Sequence, residues 1–530
     1  MSIDKTWLSS HPFSQHQLWP LFQESDSLKW YGNHRAAAEQ LERLLRSNSQ
    51  LDNTAKYYAW NQLAYHYLIA GQLDKAAAPL TQLDHYSPAF ESTPALLADY
   101  YFNKGLYKQK KSVGEESLYY LRKARALYSQ LYPPTHPYRM WALTELAFSF
   151  QAFTYHVDSI IFYADQANTL LMRHSQLHFQ APRTYYAQAE ACWKRRAHIE
   201  GENRCQLALE AARYNPDLDV SFVAQCISLK GKFIQKQKDR KEEGEKVLKA
   251  AIRLVESKGT LKEEDQVLYK NLLSYYARAK DSLAFFSFLD HTKQAFMKAN
   301  HPFRYIEQMR GLYYNKQKAF CKSIQYYEEF LAYYLNTPAQ ESAIVEEAYF
   351  LLVKNYRGLD ELDQAEVYAW KLMALRLGKR TEKLTWENLF EEENKNQLHI
   401  YVGYHLLAQI YIQGYEGNKQ STNLLHRAYQ LYQLIDEMIY DRLDSFDEDA
   451  WLSAYRMYNS DIYRSSVKVC YYLYTSENNN SILEWTLHFI RVHQLIRAAG
   501  IDCEKLPQWR SRCVTTVAAC EGGRPYRRCL

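Results

Sequence analysis

Residues 60–88 spell out one helical hairpin. Trp60, Leu63, Ala64 and Tyr67 recur at helical spacing, Gly71 interrupts, and Ala76, Leu80 and Leu83 resume the period before Pro88 closes it. Each residue type has a steric job. Ala64 and Ala76 are small where two helix backbones must approach, Trp60, Tyr67 and Leu80 fill the space around them, and Gly71 allows the chain to reverse. Pro79, three residues past Ala76, is expected to start the second helix late or to kink it.

The pattern recurs. Gly32, Ala37, Leu41 and Leu44 repeat the spacing of Gly71, Ala76, Leu80 and Leu83. Leu143, Leu146, Ala147 and Phe150 open a copy whose second helix carries Ser159 and Tyr163. Further copies run through Gly311, Tyr314, Ser323, Tyr327 and Phe330, and through Tyr349, Leu352, Tyr356, Ala365, Ala369 and Leu372. Leu407, Ala408 and Tyr411 begin another, with Leu425 and Ala428 beyond a longer turn. Pro88, Pro133, Pro134, Pro137, Pro182, Pro216, Pro302 and Pro338 fall near hairpin ends. These series resemble the tetratricopeptide repeat superfamily over residues 28–440. The resemblance implies an all-α, right-handed superhelical solenoid of antiparallel helix hairpins, on the order of ten to twelve from the usual repeat length.

Composition agrees with a helical array. A chain of 530 residues exceeds one compact core, and with 17 Gly, 14 Pro and few alternating β-branched runs it has little material for a sheet. Its 46 tyrosines read mainly as packing residues of hairpins, a minority lining a groove. No apolar stretch is long enough to span a bilayer and the start has no apolar signal core, so a cytoplasmic protein without a membrane partner is expected. Nine cysteines are scattered without a paired spacing; Cys192, Cys205, Cys226, Cys321 and Cys470 read as small buried hydrophobes in a reducing compartment. Net charge is +5 with both signs interspersed, which gives no strong field.

Along the chain, residues 1–27 read as a lead-in or cap. The array occupies 28–440 and is degenerate around 217–300, where Gly244, Leu248 and Ala251 keep the second-helix pattern and the first helices lose their small residues. A helical connector follows over 441–500, with one helix through Trp451, Tyr455 and Tyr458 and a second from Ile462 to Tyr474. The segment 501–530 concentrates Cys503, Cys513, Cys520 and Cys529 without helical period and is expected to be disordered.

Chemistry is sparse. No phosphate-binding glycine loop, metalloprotease helix or nucleophile elbow is written, histidines stand singly, and the tail cysteines fit no zinc spacing. The expectation is therefore a non-enzymatic protein-binding scaffold with no catalytic residue, metal or cofactor. Seven basic residues within Lys230–Lys246, among them Lys236, Lys238, Arg240 and Lys241, would contact phosphates in an alternative nucleic-acid-binding protein; Asp239, Glu242, Glu243 and Glu245 interleave and favour a solvated turn. Some tetratricopeptide proteins grip a terminal carboxylate with asparagines placed just after the small residue of each first helix. Here those places hold Tyr65, Phe148, Leu312, Lys354 and Gln409, so that clamp is not written, and a groove gripping a protein or peptide through tyrosines is expected instead.

A narrower resemblance lies in 444–500. Ser445 and Phe446 open the segment, Tyr455 and Tyr463 sit on long helices, Leu473 and Tyr474 close one, and Ile482–Leu487 precede Gln494–Ala499. This looks like the helical connector that joins a repeat array to a caspase-like protease domain in bacterial CHAT proteins. Where that family carries a Glu-Lys-Ser-Lys-like stretch, this chain has Ile490, Arg491, Val492 and His493. The resemblance implies that the array is the sensor arm of a CHAT-type protease system, with a caspase-like domain as partner. No sheet-forming protease sequence follows, and the composition of 501–530 suggests a reading frame that shifted or ended early.

Overall fold

Helix follows helix, and the two helices of each hairpin pack on one another. The computed structural model describes residues 11–30, 32–47, 51–86, 93–111, 114–133, 136–153, 157–173, 181–195, 197–215, 217–259, 261–335, 342–377, 381, 384–391, 400–418, 421–440, 448–477, 481–482 and 484–488. The chain forms two units, 1–384 and 385–530. Among the described residues the first holds nine hairpins: α1 (Gln23–Trp30) with α2 (His34–Ser47), α3 (Asn53–Ile69) with α4 (Leu73–Tyr86), α5 (Pro94–Lys110) with α6 (Gly114–Leu131), α7 (Pro137–Phe153) with α8 (Val157–Arg173), α9 (Pro182–Arg195) with α10 (His198–Ala212), α11 (Val220–Lys236) with α12 (Lys241–Glu256), α13 (Gln266–Ala279) with α14 (Ser282–Lys298), α15 (Ile306–Lys316) with α16 (Phe320–Tyr334), and α17 (Ser342–Gly358) with α18 (Leu362–Arg376). Two short 3-10 helices, Pro12–Gln15 and Trp19–Leu21, precede them. The architecture is the all-α, right-handed superhelical solenoid expected from the repeats, with no strand among the described residues.

In the 60–88 hairpin, Leu63, Ala64, Tyr67, Ala76, Leu80 and Leu83 are buried in one cluster, and Trp60 is half-buried at its edge. Pro88 lies outside the described residues. Gly71 takes φ +72° at the turn, and the Gln72 N–H reaches back to the Tyr67 carbonyl at 2.8 Å to close the helix end. Helix α4 begins at Leu73, so Pro79 does not delay it; the proline sits inside the helix and deprives the carbonyl of Lys75, an exposed residue, of its helical donor. In later copies Gly311, Tyr327, Tyr356, Ala365, Ala408 and Tyr411 are buried, and Tyr314 is half-buried, stacked on Tyr326 with ring centroids 5.4 Å apart.

The tyrosines do more than fill space. Tyr100 donates to Asp84 at 2.5 Å, Tyr269 to Glu256 at 2.8 Å, Tyr276 to Glu245 at 3.1 Å and Tyr356 to Glu328 at 2.7 Å; Tyr67 bonds Glu42 in the same way. In each case a first helix is tied to the second helix of the hairpin before it. Polar rungs join successive first helices as well: Asn103 to Asn61, Thr144 to Thr184 at 2.9 Å, Asn271 to Ser228 at 2.9 Å and Asn315 to Asn355 at 2.6 Å.

The curvature of unit 1 brings its turns together. A Cβ added to Gly32 would lie 2.4 Å from the Asn215 amide oxygen, and one added to Gly71 would lie 2.7 Å from an Asp219 carboxylate oxygen. The Arg35 N–H donates to Asp217 at 2.8 Å, and Lys262 bonds both oxygens of Asp219 at 2.9 and 2.8 Å. The turns of the first two hairpins thus meet the loops on either side of the sixth.

The second unit contains a 3-10 helix, Glu387–Phe390, then α19 (Tyr401–Gly417), α20 (Thr422–Tyr440) and α21 (Glu448–Glu477). The two helices expected across 451–474 are one continuous helix of 30 residues, because no glycine or proline interrupts the stretch. The tail 501–530 with its cysteines, and Ile490–His493, lie outside the described residues. Cys192, Cys205, Cys226 and Cys470 are buried and form no disulfide, but Cys321 is exposed, a correction to the sequence reading: it sits on the outward side of α16, where its neighbour Ser323 points inward. No helix among the described residues is long and apolar enough to cross a membrane.

Candidate binding face on the inner side of unit 1

First helices well separated in the array touch one another through their side chains, which is possible only on the inside of the coil. Lys29 of α1 lies over the rings of Tyr65 on α3 and Tyr138 and Trp141 on α7, at 4.8, 5.2 and 5.8 Å, and donates to the Gln62 amide oxygen at 3.0 Å and the Tyr138 hydroxyl at 3.4 Å. Burial pushes the Lys29 ammonium below its usual range, with Asp26 and Asp99 opposing that trend. Asp99 itself accepts from Tyr128 at 2.8 Å and faces His11 at 3.3 Å, which fastens the N-terminal segment to α5. The cavity beside Lys29, lined also by Phe102 and Asn103, leaves about 10 Å³ for the centre of a water-sized molecule, space for one water. This corner is a packed polar core rather than an open pocket.

One hairpin further on the face becomes a row of rings under a charged clamp. Phe148 of α7 stacks on Tyr186 of α9 (centroids 5.5 Å, planes 5° apart), and Tyr186 meets Phe222 of α11 at 5.5 Å. The Arg183 guanidinium lies 4.4 Å from the Phe148 ring and forks onto Glu145 with two bonds of 2.5 Å, while reaching Gln109 of α5 at 3.4 Å. Gln109 in turn donates to Ser149 at 2.9 Å. Desolvation works against the charge on Arg183, and Glu145 outweighs it, so the guanidinium is held above its usual range. The final third of the face is charged: Lys270 of α13 pairs with Glu347 of α17 at 3.1 Å, and Gln308 of α15 donates to the same carboxylate at 2.9 Å.

Of the positions where a carboxylate clamp would place asparagines, Tyr65 and Phe148 belong to this face, Lys354 lies 4.2 Å from the Phe350 ring, and Gln409 of unit 2 contacts His405 at 2.8 Å. The basic run behaves as its interleaved acids suggest. Arg240 is taken up by Glu202 at 2.8 Å and Glu243 at 2.6 Å, and Lys232 and Lys236 lie over Trp193 at 4.4 and 5.9 Å. Lys29, Glu145, Arg183, Lys270 and Glu347 carry no local motif and are not singled out by the sequence reading. The signal that finds such residues is periodic: Lys236, Arg278 and Lys316 occupy the last turns of successive first helices, 42 and 38 residues apart.

No protein-family model matches the chain, and no curated protein matches it. Among solved structures it resembles a Rap protein complexed with Competence and Sporulation Factor, at 14% identity over 68% of this chain and 98% of that one, with a TM-score of 0.54. It also matches aspartyl phosphate phosphatase F from Bacillus subtilis (13% identity, 68% and 94% covered, TM-score 0.40) and the human IFIT1 dimer with m7Gppp-AAAA (14% identity, 83% and 100% covered, TM-score 0.34). The likeness is one of fold. The chain is built as a helical-repeat solenoid.

Proposed function

We propose that the protein is a non-enzymatic scaffold of the reducing cytoplasm, whose unit 1 binds an extended segment of a partner protein along its inner face. The observation that carries this reading is the row Phe148, Tyr186 and Phe222 beneath the Arg183–Glu145 clamp. Half-buried Phe148 offers a peptide apolar area, the buried rings of Tyr186 and Phe222 hold it in place, and fixed amide and guanidinium groups meet the peptide's backbone and side chains. A nucleic acid would have to run past the carboxylates of Glu145 and Glu347, which lie on this face. A solenoid of like fold has been found complexed with Competence and Sporulation Factor, which supports ligand binding by this architecture. The resemblance of 444–500 to the CHAT connector supports a caspase-like protease domain as one partner to try first.

The test is selection from a displayed random peptide library with wild type and with Phe148→Ala, alongside a gel shift on random RNA. Peptides enriched by wild type, lost with Phe148→Ala and insensitive to salt are the expected result. A tight shift of RNA that weakens steeply with salt, with no peptide enriched, would overturn the reading in favour of nucleic-acid binding.

A further inference from the structure

Arg278 and Lys316 stand in the last turns of α13 and α15, first helices that pack directly on one another. Arg278 is open to water and Lys316 half-buried. Neither makes a hydrogen bond or an ion pair among the described residues. The acid nearest to hand, Glu347, is already engaged by Lys270 at 3.1 Å and by Gln308 at 2.9 Å. Three cations described above on this face are partnered: Lys29 has its rings and Gln62, Arg183 has Glu145, and Lys270 has Glu347. The electrostatics agree. Desolvation holds half-buried Lys316 below its usual range, and Arg278 adds repulsion. Two like charges on adjacent first helices, each felt by the other, are unfavourable for the empty protein, a pattern found at binding sites more than at structural ones.

We propose that Arg278 and Lys316 form a receptor for a carboxylate of the bound segment, so that the partner is an acidic peptide. This rests on the scaffold reading above. A guanidinium and an ammonium on adjacent helices supply a planar fork and a point charge, which together match one carboxylate. A phosphate chain fits less well, because its next phosphate would pass the Glu347 carboxylate. The carboxylate can come from a glutamate or aspartate side chain or from a chain terminus, and amidated and free-acid peptides separate the two sources.

The experiment uses the full chain and two fluorescein-labelled random peptide pools, one rich in glutamate and one with glutamine in its place, each with free and amidated ends, plus a single-stranded RNA of mixed sequence. Wild type should bind the glutamate pool at least tenfold more tightly than the glutamine pool. Arg278→Gln/Lys316→Gln should remove that preference and leave glutamine-pool binding unchanged, while Lys246→Gln, which removes an exposed charge of α12, should change neither. Because the two cations repel each other, the double variant should also melt at or above the wild-type temperature without peptide, which separates lost recognition from lost folding. Equal binding of both pools by wild type, or an undiminished preference in the double variant, overturns the carboxylate receptor alone. Binding of neither pool overturns the scaffold reading with it, and RNA binding lost in the double variant assigns the pair to phosphate instead.

Discussion

His34 and His66 meet through their Nδ1 atoms at 3.0 Å in the buried wall between α2 and α3, so one ring donates and the other accepts. Burial drives both down, His34 to about 3 and His66 well below its usual range, with Lys29 adding repulsion. The unfolded chain takes up these protons near pH 6.5 while the folded protein refuses them. The stability they represent is therefore complete above pH 6.5 and erodes as pH falls toward 3. By pH 5 the loss amounts to about 2 kcal/mol for each histidine. Urea unfolding at pH 7 and pH 5 should show this drop in wild type and a smaller one in His34→Gln; equal drops would refute it. At this scale the sequence is only partly legible. Tyr65 and Phe148 are visible because each follows the small residue of a recognisable hairpin. Lys29 and Arg183 are not, because their meaning lies in partners such as Trp141 and Gln109 on other helices.

Among the elements, the turns show that glycine is an incomplete marker of the hairpins. Gly32 and Gly71 announce their turns, but the corresponding turns after α13, α15 and α17 place Lys280, Lys318 and Asp360 at φ 60°, 60° and 62°. The backbone closure is the same: the Asp281, Ala319 and Glu361 N–H groups reach back to Tyr276, Tyr314 and Tyr356 at 3.3, 2.9 and 3.0 Å. A left-handed lysine costs roughly 1–2 kcal/mol relative to its favoured conformation, part of which glycine recovers before its own chain entropy is counted. Lys318→Gly should accordingly raise stability by about 0.5–1 kcal/mol, read as a higher urea midpoint with unchanged slope. A lower midpoint would mean the lysine side chain holds the turn by contacts of its own. The expected glycine marker was thus a habit of the best copies, while the hairpin itself needs only the geometry. The single helix over 448–477 has the opposite lesson: polar residues around Asn459 and Ser460 suggest a break that helix propensity alone does not enforce.

For unit 1 as a whole, the number and order of hairpins follow from the repeats, but their curvature does not, since it depends on small rotations summed over many interfaces. That curvature is what carries Arg35 to Asp217 and the Gly71 turn to Asp219. Asp217→Ala removes the acceptor of the Arg35 N–H and leaves every hairpin core intact. Hydrogen exchange should then rise at Arg35 and across α1 and α2 while α15 to α18 keep their protection; unchanged exchange in the first hairpin would show the contact to be incidental. A simple stack of repeats unfolds piecewise, each hairpin answering only to its neighbours. A chain whose first turns are tethered to loops some 180 residues onward has a ring-like constraint, and rings do not fray from their ends. Closure of that kind lengthens the average contact, slows the search for the native arrangement and makes melting more nearly all-or-none.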